Sequence, residues 1–129
     1  MYERILVPLD GSKIGEAALP HLETLMSRLA SDVEVEVTLL QVVSSLTHPV
    51  IAGEASFQVA YTAGELEQIK QRAKDYLDKA GESLRSNSAI VKTKVVTGDA
   101  ADEIIRAEDE LKADLVAMST HGRSGISRW

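Results

Sequence analysis

Three hydroxyls, a histidine, an arginine and two glycines fall together at Ser119-Thr120-His121-Gly122-Arg123-Ser124-Gly125. These residue types hold anions. Gly122 and Gly125 let the backbone approach a ligand closely. Ser119, Thr120 and Ser124 bring hydroxyl donors, and Arg123 brings a planar, permanently charged fork. A helix beginning near Ser124 would add its first amides. His121 has the address to touch a phosphate, though a structural hydrogen bond would satisfy it as well. The strand-like run Leu115 to Met118 lies just before, which favours an anion site over a plain solvent loop.

Three other stretches carry lesser signals. In Val7-Pro8-Leu9-Asp10-Gly11-Ser12, Asp10 could accept hydrogen bonds from sugar hydroxyls or a base amino group. The same residues also read as a turn at Asp10-Gly11 with Ser12 as a helix cap. Val42 could present its backbone N–H and C=O to a base edge, but core packing explains it more cheaply. Gly98 and Asp99 open a strand-to-helix turn where a ligand contact is allowed but not required.

Several chemistries are excluded. There is no G-x-G-x-x-G after the first strand and no Gly-Lys-Ser/Thr phosphate loop anywhere, which rules against ordinary Rossmann dehydrogenases and P-loop NTPases. A phospho-receiver domain would need further acids at strand ends, where only Asp10 stands. His21, His48 and His121 show no metal spacing, so no metal site of the chain's own is expected. Cysteine is absent, which removes thiolate catalysis and disulfides and suits a reducing compartment. No nucleophile–base–acid set is legible; the expectation is at most slow ATP cleavage. The formal charge of -6 argues against nucleic-acid or anionic-membrane partners. The N-terminus lacks the features of a signal peptide, and no apolar run reaches membrane-spanning length. A cytoplasmic protein is expected.

Elements must bring these stretches together. Ile5-Leu6-Val7 reads as a buried strand. A helix with Ala18, Leu22, Leu25, Met26 and Leu29 inside follows, kinked at Pro20. Val33 to Val43 is a second strand, alternating at first and then continuously apolar, as if entering the sheet from an exposed edge. Residues 44–61 read as an irregular connection. Thr62-x-x-Glu65 is a capping box, and Leu66, Ile69, Ala73, Tyr76, Leu77, Ala80 and Leu84 make one amphipathic stripe ending at Ser86-Asn87-Ser88. Ile90 to Val96 is a third strand. Gly98-Asp99 leads into a helix whose Ala101, Ile104, Ile105 and Leu111 face inward. Leu115 to Met118 is the fourth strand. Alternation of strand and helix predicts an α/β fold, an open parallel sheet with helices on both faces in one domain, residues 1–129. Ligands of such sheets bind beyond the carboxyl ends of the strands.

Taken together, "RILVPLDGS", "TLLQVV", "VVTGDAADEII" and "ADLVAMSTHGRSGISRW" resemble the universal stress protein family, in order and spacing, over essentially the whole chain. The resemblance implies an adenine-nucleotide-hydrolase-like sheet of strand order 3-2-1-4-5, usually a homodimer. It implies a regulatory role in stress response, with ATP or AMP bound in many members and Mg accompanying ATP. Carried over by position, Pro8, Asp10 and Val42 would lie at the adenosine and Gly98 near the ribose. Leu9, Gly11, Ser12, Met118, Ser119, Thr120, His121, Gly122, Arg123 and Gly125 would complete the nucleotide site. The family motif G-x2-G-x9-G-[ST] puts its second glycine at Gly122 and finds Ser119 in place of its first. Its third glycine, and the fifth strand that often forms the dimer contact, would fall after Trp129. The expectation is therefore a nucleotide weakly held at its triphosphate end by these residues, with the further strand absent from this sequence. The alternative is a nucleotide-independent interaction module of the same fold.

Overall fold

A computed structural model describes residues 2–11, 15–29, 32–85 and 89–119. Its elements are β1 (Tyr2–Pro8), a 3-10 turn (Gly15–Ala17), α1 (Ala18–Ser27), β2 (Glu34–Val43), β3 (Thr47–Ala52), β4 (Ala55–Ala60), α2 (Ala63–Ala80), α3 (Glu82–Arg85), β5 (Ile90–Thr97), α4 (Ala100–Leu111) and β6 (Leu115–Val116).

The main sheet runs β5-β2-β1-β6, and every pairing in it is parallel. These are the four strands expected from the sequence, in the order 3-2-1-4. Successive side chains on a strand point to opposite faces, so a run that is apolar throughout needs cover on both. On one face Ile5, Val7, Leu9, Val37 and Leu39 meet Leu19, Leu22, Leu77 and Leu84 from α1, α2 and α3. On the other, Leu6 and Leu40 meet Ile104 and Ala107 of α4.

β2 is a central strand, held by β1 on one side and β5 on the other. Its early alternation hides a charge: Glu36 is buried between Arg4 of β1 and Lys92 of β5, pairing with the first at 3.8 Å and with the second more closely. Flanking cations on both neighbours make that burial tolerable.

The connection at 44–61 is a correction to the sequence reading. It forms an antiparallel hairpin, β3 with β4, turned at Gly53-Glu54 and closed at its base by Tyr61 N–H donating to the Leu46 carbonyl at 3.0 Å. Pro49 is compatible because a two-stranded ribbon has only edges.

Three further details differ from the periodicity. Leu25 and Ile105 are exposed, and Leu19 and Ala107 take the inward places. Pro20 lies in the first turn of α1, where its missing N–H would have had no partner, so it requires no kink. The stripe from Leu66 to Leu84 is shared between two helices that part at Gly81, before the expected terminus; residues 86–88 lie outside the described residues. A Cβ on Gly81 would stand 2.9 Å from Val91 Cγ1 and 3.0 Å from Leu39 Cδ1, so the helix meets the sheet there through bare backbone.

Candidate functional site at the carboxyl ends of the strands

Because β5, β2, β1 and β6 are all parallel, their carboxyl ends open on one edge of the sheet. The register sets their relative heights. Pro8 pairs with Leu40, Val43 with Thr97, and Leu6 with Val116. Beyond these pairs the chain gives three closing bonds: Leu9 N–H to the Leu40 carbonyl at 2.8 Å, Gly98 N–H to the Val43 carbonyl at 3.2 Å, and Ala117 N–H to the Leu6 carbonyl at 2.9 Å.

These bonds place the sequence-derived candidates. Pro8 ends β1, and Leu9 is buried under the first core cluster. Asp10 and Gly11 then emerge into solvent, Gly11 in a left-handed conformation with φ +88°. The Leu40 carbonyl faces β1, and backbone groups two residues apart on a strand point to the same side. The N–H and C=O of Val42 therefore face the side that β1 leaves at Asp10. Gly98 sits beside them at the end of β5 with φ +141°. Met118 and Ser119, both half-buried, follow β6. Pro8, Leu9, Asp10, Gly11, Val42, Gly98, Met118 and Ser119 thus share the carboxyl edge. Ser12, Thr120, His121, Gly122, Arg123 and Gly125 lie outside the described residues, as do Ser124 and the rest of the C-terminal loop.

Asp99 opens α4 as its N-cap, accepting from the Asp102 N–H at 3.1 Å. Its carboxylate is engaged in helix capping.

Three polar residues to which the sequence reading gave no role at the site, Gln41, Tyr76 and Glu16, adjoin this edge; of these only Gln41 fell in a strand end, residues 41–44, that the sequence marks for a ligand. Gln41 interrupts an apolar run on β2. Its side chain lies on the α1–α2 side, with Nε2 3.9 Å from where a Gly11 Cβ would be, and its Oε1 is buried with no hydrogen-bond donor among the described residues. Tyr76, read as one member of an apolar stripe, donates its hydroxyl proton to Glu16 Oε2 at 2.9 Å. Burial, then the Glu16 bond, pushes the Tyr76 hydroxyl well above the ordinary tyrosine range, with Asp10 adding to the effect and a backbone bond from Gly11 opposing it. A polar interruption in the apolar run, and a tyrosine in a core stripe, were the available signals: each brings a polar tip that needs a partner.

Clefts among the described residues open elsewhere on the surface, the first of them starting beside Glu16 and Tyr76. That one, of about 710 Å³, is lined by Glu16, Leu19, Glu23, Tyr76, Lys79 and neighbours between α1 and α2. Another, of about 380 Å³, is lined by Arg4, Glu36, Thr38, Lys92 and the end of α4. Among the described residues no three His, Cys, Asp or Glu side chains group to hold a metal ion, and no helix is long and apolar enough to cross a membrane.

The fold is that of an α/β protein, a parallel sheet with helices packed on both faces. The sequence matches the universal stress protein family over residues 1–129, and the chain belongs to that family. It is 26% identical to universal stress protein MJ0531 of Methanocaldococcus jannaschii, over 99% of this chain and 70% of that protein. Its fold is similar to that of a universal stress protein family member from Arabidopsis thaliana with AMP bound, at 17% identity and a TM-score of 0.62, over 97% of this chain and 82% of that one. It is similar also to a universal stress protein in complex with cAMP, at 18% identity and a TM-score of 0.56, over 89% and 70% of the two chains.

Proposed function

We propose that this protein binds an adenine nucleotide, ATP or AMP, at the carboxyl edge of its sheet and acts as a regulatory protein of the stress response, as a cytoplasmic homodimer. The observation that carries this reading is the alignment of Asp10, the Val42 backbone and Gly98 on adjacent strand ends, supported by the AMP and cAMP bound to two relatives of like fold. Val42 offers one donor and one acceptor to a base edge, Asp10 an acceptor for ribose hydroxyls, and Gly98 an approach without a side chain. The buried Gln41 Oε1, which has no donor among the described residues, fits a ligand that brings one. Met118, Ser119, Thr120, His121, Gly122, Arg123 and Gly125 would take the ribose side and first phosphates, with Ser12 beside Asp10. Mg2+ would arrive with the phosphates of ATP.

The test is a calorimetric titration of the protein with AMP and with ATP. Binding by the wild type, lost in Asp10→Ala and Gly98→Val, is the expected result. Wild-type protein that gives no heat and no thermal shift at millimolar nucleotide would sink the reading. Any ATP turnover that persists in Asp10→Ala and His121→Ala belongs to a contaminant.

One observation favours a second reading, a nucleotide-independent interaction module. Val50, Phe57 and Val59 share one face of the hairpin, and all three are exposed. A partner captured equally with and without ATP, and lost on Phe57→Ser, is its expected signature.

A further inference from the structure

Tyr76 belongs to α2, yet its hydroxyl serves the connection between β1 and α1. It donates to Glu16 Oε2 at 2.9 Å, and the Gly11 backbone lies close enough to act on the same hydroxyl. Glu16 lies in the 3-10 turn before α1 and Gly11 just after β1, so the hydroxyl holds the α1 end of that connection to α2 and lies beside its β1 end.

The tie falls where the sheet stops supporting the chain. Leu9 makes the last ladder bond of β1, and Asp10 and Gly11 are exposed beyond it. Tyr76 is itself well anchored: its ring packs against the first core cluster, and its neighbour Leu77 is wholly buried there. A rigid support of this kind is what holds a binding group to its working geometry.

We infer that Tyr76 is a positioning residue for the nucleotide site, fastening the Asp10-Gly11 turn to α2 so that the Asp10 carboxylate stands at the crevice. The inference rests on the nucleotide reading above. It assigns Tyr76 no contact with the ligand. Glu16 completes the tie as the acceptor that orients the hydroxyl.

Calorimetry with AMP, together with amide hydrogen exchange at Gly11, tests this. Tyr76→Phe keeps the ring and removes the hydroxyl. It is expected to raise the AMP Kd about tenfold, the usual worth of a hydrogen bond to a charged group, and to speed Gly11 exchange by a similar factor. Glu16→Gln keeps an acceptor and should keep near-wild-type affinity, whereas Glu16→Leu should match Tyr76→Phe. Ala73→Gly, which loosens α2 one turn away, should lower Tm without moving Kd. A wild-type Kd in Tyr76→Phe, or an equal loss in Ala73→Gly, overturns the positioning role. If the wild type binds no AMP, the nucleotide reading falls, and Gly11 exchange alone decides the tie: faster in Tyr76→Phe sustains it, unchanged overturns it.

Discussion

Asp114 and Arg4 hold each other twice: the Arg4 N–H donates to Asp114 Oδ2 at 2.9 Å, and the Asp114 N–H donates to the Arg4 carbonyl at 2.7 Å. The pair stands where β6 joins the sheet beside β1. β6 is only two residues long, and this clasp sets its register and hence the height at which Met118 and Ser119 meet the edge. Asp114→Ala should lower the unfolding free energy by about 1 kcal/mol, with Asp114→Asn intermediate because the amide oxygen still accepts. Urea unfolding measures it; an unchanged midpoint in Asp114→Ala would contradict the clasp.

Gly81 tests packing of helix against sheet. Its φ is an ordinary -83°, so the demand is for space alone. Gly81→Ala should cost about 2 kcal/mol by overpacking against Leu39 and Val91. Val91→Ala should recover part of that loss in the double variant, more than additivity allows.

Gly98 combines two constraints. Its φ of +141° disfavours any side chain, and a Cβ would lie 2.9 Å from Glu103 Oε1. Gly98→Ala should destabilise by about 1–2 kcal/mol. Glu103→Ala in the same chain should remove the crowding but leave the backbone strain. Full recovery in the double variant would show that conformation is not the cause.

The capping box of α2 is pH-sensitive. Thr62 N–H donates to Glu65 Oε1 at 2.9 Å, and Glu65 N–H donates to Thr62 Oγ1 at 3.1 Å. The backbone bond from Thr62, then the side-chain bond, holds the Glu65 carboxyl below its ordinary value of 4.5. A depressed folded pKa stabilises above the unfolded value, and that support is lost as pH falls through the folded one. Amide exchange in the first turn of α2 should therefore quicken as pH drops below about 4.5, after correction for intrinsic rates. In Glu65→Gln that added acid sensitivity should be missing.

The hairpin should be dispensable for the fold. Its base is closed at Leu46 and Tyr61, His48 stacks on Tyr61 with ring centroids 4.9 Å apart, and its apolar face is exposed. Joining residues 46 and 61 through a short Gly-Ser linker should shift Tm by no more than about 4 °C, the equivalent of 1 kcal/mol in a domain of this size. A collapse of Tm would mean that the hairpin is part of the core.

How much of this was legible in sequence depended on the range of the interaction. Val37 to Leu40, Thr62-x-x-Glu65 and Asp99 announce a buried strand and two helix starts because periodicity and capping act within a few residues. The hairpin was missed because Pro49 masked an otherwise strand-like pair of segments around Gly53-Glu54. Leu25 and Ile105 were misassigned because a helical stripe marks a direction only to within one position on the turn, and the sheet chooses which residues lie against it.

By itself, the sequence determined the parallel α/β order, the two-sided core and the strand ends at which Asp10, Val42 and Gly98 stand, since alternation of apolar periods and right-handed crossovers leave few other arrangements. Tertiary structure alone decided that Tyr76 bonds Glu16, that Gln41 packs near Gly11 with its Oε1 buried, and that Asp114 clasps Arg4 across the sheet. These partners are far apart along the chain. No local propensity reports them, because a hydrogen bond between distant residues exists only once packing has brought its donor and acceptor within about 3 Å.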